Sequence, residues 1–154
     1  MEENPISGGE EKWEYIDDLS VVEDEENPIT SIVKELGGDF KKIRIYIPKQ
    51  SPGGIFKTAS SSYTWETYVN ERYGYRQLVG RIGVNLASNG WVNYLFEIEW
   101  VKELNMYISR YGVSYTQGSE TFYVADRLDS EPIRKLTINA NFATFNGKIY
   151  GVRA

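Results

Sequence analysis

The sequence predicts an all-β protein, an antiparallel β-sandwich or jelly roll with at most one short helix. Three observations carry that expectation. Two segments, Phe40–Pro48 and Trp91–Val101, alternate apolar and polar residues with a period of two. The composition, with 14 Gly, 12 Tyr and repeated Val, Ile and Thr, favours strands and tight turns. Turn-forming clusters then recur at roughly 10–15-residue spacing, the rhythm of eight or nine short strands.

Taken in order, residues 1–11 (MEENPISGGEE) combine Gly-Gly, Pro and four Glu without an apolar period. They read as a flexible acidic lead-in, and residues 12–154 as a single domain. Trp13, Tyr15 and Ile16 open a strand that runs to Val21 and Val22, which the acidic run Glu23–Glu26 with Asn27-Pro28 stops. Its aromatic pair is expected inside the sandwich. Ile29–Leu36 is a second strand, closed by Gly37-Gly38-Asp39.

In Phe40–Pro48, Ile43, Ile45 and Ile47 share one face and Lys42, Arg44 and Tyr46 the other. Trp65, Tyr68 and Val69 stand at i, i+3 and i+4, which makes Ser62–Arg72 the one place for a helix. Val79–Leu86 follows as a strand. In Trp91–Val101, Phe96 and Ile98 share a face, opposite Glu97 and Glu99. Tyr107–Tyr115, Glu120–Val124 and a segment led by Ile133, Leu136 and Ile138 are further strands. Asn146-Gly147 is the strongest hairpin signal, a type I′ turn pairing Phe142–Phe145 with Lys148–Val152.

Composition excludes several chemistries. Without Cys there is no disulfide, thiolate nucleophile or Cys-ligated zinc. Without His there is no Ser-His-Asp or Cys-His machinery and no imidazole metal site. No cofactor, metal site or catalytic residue is expected. No apolar run approaches the ~20 residues of a helical membrane span, and no secretory leader is visible, so membrane insertion is not expected. Residues 1–27 hold eleven carboxylates and one Lys, a charge of −10; residues 28–154 carry +5. A solvated acidic leader on an ordinary surface is the plain reading of that asymmetry, and a basic binding face the sharper one.

The aromatic-rich stretch Tyr63–Tyr75 is the candidate contact surface, with Trp65, Tyr68, Arg72, Tyr73 and Tyr75 as its binding residues. Aromatic faces stack on sugar C–H faces, and neighbouring amide, carboxylate and guanidinium groups bond hydroxyls. Core packing competes with this reading on equal terms. Tyr107, Tyr111 and Tyr115 form a second row, read as core or interface. Glu97 and Glu99 project from one strand face about 7 Å apart, inside the separation a glycosidase pair needs, but alternating Glu also marks any half-solvated strand. Asp126, Asp129 and Glu131 match no EF-hand spacing and read as a solvated turn.

Over Trp13–Pro48, the opening WEYIDDLSV, then TSIVKEL, then GGDFKKIRIYIPK resembles a β-sandwich module in structural proteins of tailed bacteriophages, of tail-fibre, baseplate or receptor-binding type. The resemblance implies a non-enzymatic virion part, assembled as a homotrimer, that contacts other virion proteins or a host-surface glycan. It carries over no site residues. The alternative is a carbohydrate-binding module or accessory domain of a polysaccharide- or cell-wall-acting enzyme. An oligonucleotide-binding barrel is a third option; the net charge of −5 argues against nucleic acid as partner.

Overall fold

The computed structural model describes residues 11–21, 29–47, 63–72, 75–84, 94–113, 120–126, 130–141 and 145–154, some of them by backbone alone. Among these residues the fold is all-β, with nine strands: β1 (Glu14–Val21), β2 (Ile29–Ile47), β3 (Tyr63–Arg72), β4 (Tyr75–Val84), β5 (Tyr94–Val101), β6 (Met106–Val113), β7 (Glu120–Asp126), β8 (Ile133–Asn141) and β9 (Phe145–Arg153). A single 3-10 turn, Lys102–Leu104, joins β5 to β6. All pairings are antiparallel.

β2 organises the whole. Its first half pairs with β8, which continues to β3 and β4; its second half lies between β9 and β5. β9 continues to β1, and β5 to β6 and β7. A straight β2 would separate its ends by about 60 Å. Yet Asn141, opposite Ile29, lies four residues before Phe145, and Lys148 stands opposite Tyr46. Four peptide steps reach about 15 Å. β2 must therefore bend back, and it does so at Gly37, whose φ of +75° suits glycine, beside the register shift between Glu35 and Phe40. The bend splits the strands into two layers, β4-β3-β8-β2 and β1-β9-β2-β5-β6-β7. Lys34 of the first half of β2 meets Asp17 of β1 at 2.9 Å across them, and β4 lies against β6 and β7.

The core lies between the layers. Period-two alternation aims Ile43, Ile45 and Ile47 inward against Phe96 and Ile98 from one layer, and Val69, Leu136 and Ile138 from the other; all are buried. Tyr107 is fully buried, and its hydroxyl donates to the Glu131 carbonyl (2.8 Å) and accepts from the Glu131 N–H (3.0 Å).

Four expectations are corrected. Tyr63–Arg72 is strand β3, not a helix, because pairing with β4 and β8 on both sides satisfies its backbone. Gly37-Gly38 bends one strand and does not end it. Asn146-Gly147 lies inside continuous β9, not in a hairpin turn. Gly147 is there for space: a Cβ would stand 2.9 Å from the Tyr46 carbonyl oxygen. Trp13 and Tyr15, finally, do not enter the core. Tyr15 is 51% exposed, and Trp13 rests on the outer face.

Candidate functional site

The outer face of the β1-β9-β2-β5-β6 layer carries the most chemistry among the described residues. Because Ile43 and Ile45 point inward, Lys42, Arg44 and Tyr46 point out. Register then aligns a row across five strands. Arg44 stands opposite Tyr150 of β9 and Glu97 of β5; Tyr150 opposite Tyr15 of β1; Glu97 opposite Arg110 of β6.

Glu97 is the hub of that row. Arg44 donates through Nε and Nη2 to its Oε1, both at 3.0 Å, and Arg110 donates through Nη2 to its Oε2 at 3.2 Å. Both carboxylate oxygens are therefore engaged by guanidinium groups through charge-assisted hydrogen bonds. The Trp13 ring lies over the Arg44 guanidinium, 4.0 Å from centroid to Cζ, a cation–π stack that fixes both groups. Trp13 is held there by its neighbours in the chain: Glu11 bonds Lys42 at 2.6 Å and reaches Lys41 at 3.4 Å. The hydrogen bond from Lys42 holds the Glu11 carboxyl below its ordinary range. Trp13, Lys42, Glu97, Glu99, Ile108 and Arg110 together line a cleft of about 220 Å³. An indole, an aliphatic surface, carboxylates and cations thus converge on one concavity.

The five residues singled out by the sequence lie elsewhere, in or beside β3 and β4. Tyr68 is buried, with 8% of its surface exposed. Trp65 and Arg72 stand in β3 and Tyr75 in β4, with Trp65 opposite Ala140 and Arg72 opposite Tyr75; their side chains and the whole of Tyr73 lie outside the described residues. Asn70 of the same stretch ties β3 to the start of β8. In a left-handed conformation (φ 51°), it donates to the Pro132 carbonyl (2.8 Å) and accepts from the N–H groups of Arg134 (2.9 Å) and Lys135 (3.2 Å). Asp129 also lies outside the described residues, and Glu131 pairs with Arg134.

Trp13, Arg44 and Arg110 are the site residues that sequence reasoning missed. The alternation in Phe40–Pro48 and Trp91–Val101 did mark Arg44, Glu97 and Glu99 as facing away from the apolar side, but nothing local revealed that they share a row.

No family of known proteins matches the chain, and no curated protein does. Among solved structures it is similar to scytalido-glutamic peptidase bound to a peptide-based transition-state analogue (TM-score 0.41, 8% identity, covering 80% of this chain and 76% of that one). It is similar also to the CBM40 of the Ruminococcus gnavus IT-sialidase (TM-score 0.34, 7% identity, covering 91% of this chain and 92% of that one). Likenesses of this size assign neither chemistry nor ancestry.

Proposed function

We propose that this chain is a non-enzymatic binding module that takes a glycan on its outer face, in the cleft beneath Trp13. The observation that carries the reading is the fixed set Trp13–Arg44–Glu97–Arg110. The cleft presents the Trp13 ring, the Arg110 guanidinium and the Glu97 carboxylate, with Arg44 behind them holding both Trp13 and Glu97 in place. A sugar ring offers an apolar C–H face to the indole and adjacent hydroxyls to the planar groups. Preorganised side chains lose little entropy on binding. With both Glu97 oxygens engaged, the Glu97/Glu99 pair serves recognition better than acid–base work.

The setting that accords with the resemblance over Trp13–Pro48 is a bacteriophage virion, where several copies, as in a homotrimer, raise avidity for a repetitive host surface. The same cleft serves an accessory module of a polysaccharide-acting enzyme. Solution mass separates the two: a stable trimer favours the virion and a monomer the accessory module.

The test is a glycan array probed with the wild-type chain and Trp13→Ala. The expected result is saccharide binding that Trp13→Ala weakens by about tenfold or more, equivalent to about 1.4 kcal/mol, with the melting temperature little changed. Binding that is indifferent to Trp13→Ala, or no saccharide bound by the wild type, overturns the proposal. Nucleic acid as ligand predicts instead a steep loss of affinity with salt.

A further inference from the structure

A β-bulge builds a second group of exposed side chains on the same face. In a regular strand Tyr15 and Asp18 would point to opposite sides. Between Tyr15 and Asp17 the pairing of β1 with β9 slips by one residue. The slip re-aims the chain so that the Tyr15 hydroxyl donates to Asp18 Oδ1 at 2.7 Å. Lys148 of β9 completes the group: its ammonium lies 5.4 Å from the Tyr15 ring centroid and 3.3 Å from Asp18 Oδ1. The Tyr150 ring meets Tyr15 edge-on at 5.9 Å and 69°. Next to this group, Asp18, Ser20, Asn146 and Lys148 help line a cleft of about 280 Å³.

We infer that the ligand is an extended, uncharged oligosaccharide that spans this β1–β9 patch and the Trp13 cleft; the inference rests on the glycan reading above. Three observations carry it. First, the two sites share one sheet face, and register fixes their separation. From Glu97 on β5 to the Asp18–Lys148 pair lie two to three strand spacings and about two residues of rise, about 14 Å, more than one sugar ring covers. Second, the ground between is aromatic: Tyr150 lies opposite Arg44, and Tyr46, 36% exposed, lies opposite Lys148. Third, the cations at both ends are already paired with carboxylates: Arg44 and Arg110 share Glu97, with Glu99 on the same cleft, and Lys148 meets Asp18. A polyanion would have to displace those partners. Hydroxyl groups need only add to them, since each engaged carboxylate keeps further lone pairs.

A ligand held at the Trp13 cleft meets the second patch at high effective concentration, so the contribution of Tyr15 appears only with chains long enough to reach it. The experiment uses an array of neutral and anionic saccharides graded from single sugars to long oligomers, read at low and high salt. Wild type, Trp13→Ala, Tyr15→Ala and Lys148→Ala are compared, with a melting curve for each. The expected outcome is that the wild type prefers neutral oligomers over single sugars and that its binding changes little with salt. Trp13→Ala should lower binding at every length, whereas Tyr15→Ala and Lys148→Ala should lower it about tenfold for the longer oligomers only. Equal affinity for short and long saccharides, or long-chain binding untouched by both β1–β9 substitutions, overturns the second subsite and leaves the cleft standing. A preference for anionic polymers that salt abolishes overturns the choice of an uncharged chain. A wild type that binds no saccharide removes both readings.

Discussion

Replacing Gly151 by Ala tests the register on which the outer-face row depends. Gly151 is buried in β9, opposite Ile43 of β2 and Glu14 of β1. A Cβ added there would stand 2.6 Å from Phe40 Cδ1, 2.7 Å from Ile16 Cδ1 and 3.0 Å from Phe40 Cε1. Contacts that short cannot persist, so a ring, a methyl group or the strand must move. Phe40 has little room, being 1% exposed with the Arg153 guanidinium 5.0 Å from its ring centroid. Overpacking a tight core costs about 1–3 kcal/mol, and at this chain length each kcal/mol lowers the melting temperature by about 2–4 °C. Gly151→Ala should therefore melt about 2–12 °C below wild type. Ile16→Val removes Cδ1, the nearest obstacle after Phe40 Cδ1, at a cost of about 0.5–1.5 kcal/mol by itself. In the double variant part of the clash is gone, and the two losses should fall short of additivity by about 0.5–1 kcal/mol. Urea unfolding of the four proteins with a common m-value measures that coupling. Strict additivity, within about 0.3 kcal/mol, would show that Ile16 does not face Gly151. The bulge that aims Tyr15 would then be wrong.

Four further outcomes are expected. Tyr107→Phe removes one donor and one acceptor from Glu131, and at about 1 kcal/mol or somewhat more for each hydrogen bond should destabilise by about 2–3 kcal/mol in urea unfolding. Thr137→Val should be neutral or stabilising by up to about 1 kcal/mol, because the buried Thr137 hydroxyl has no partner among the described residues; a loss above about 1 kcal/mol would contradict that. Tyr15, pushed up to about 12 chiefly by its hydrogen bond to Asp18, holds its proton more tightly folded than unfolded. Its contribution is present below the ordinary tyrosine range and fades as pH rises from there towards 12, and spectrophotometric titration should show one late tyrosine that Asp18→Asn brings earlier. Asp17 and Asp18 are lowered, Asp17 mainly by Lys34 and Asp18 mainly by Tyr15; their contributions are present above the ordinary aspartate value and lost on acidification through the lowered ones, so Lys34→Ala should move the Asp17 carboxyl resonance midpoint upward.

Fold class was legible because burial on one face writes a period of two into the chain, as in Ile43, Ile45 and Ile47. Single elements failed where local signals have two physical meanings. The i, i+3, i+4 spacing of Trp65, Tyr68 and Val69 suits a helix, but Thr67 and Val69 are both fully buried, two residues apart as in a strand. β8, sixty-seven to seventy-five positions away in the paired register, supplies what local sequence cannot. Gly147 follows Asn as in a turn, yet its small size is used for close approach to Tyr46. The candidate cleft was illegible for a related reason. Arg44 and Glu97 lie 53 residues apart, and Glu97 and Arg110 lie 13 apart. Only register brings them into one row, and a slip of one residue would send Glu97 to the core side.

The charge asymmetry takes on a different meaning once the pairs are placed. The leading segment looked like solvated acid, but each of its carboxylates among the described residues meets a cation of the body. Glu11 pairs with Lys41 and Lys42, Glu14 with Arg153, Asp17 with Lys34 and Asp18 with Lys148. Each pair is exposed or half-exposed, so singly they add little stability. Their collective effect is on specificity. Among the described residues β1 is joined to the sheet through β9 alone, and a strand so placed, free to slip, would carry Tyr15 and Trp13 to other positions. Opposite charges at successive positions favour one register and penalise the shifted ones. Where the leading segment is described, its carboxylates and the cations of the body are thus complementary surfaces within one chain. Their docking holds Trp13 over Arg44 and Tyr15 beside Lys148, and so assembles the face on which the proposed ligand would lie.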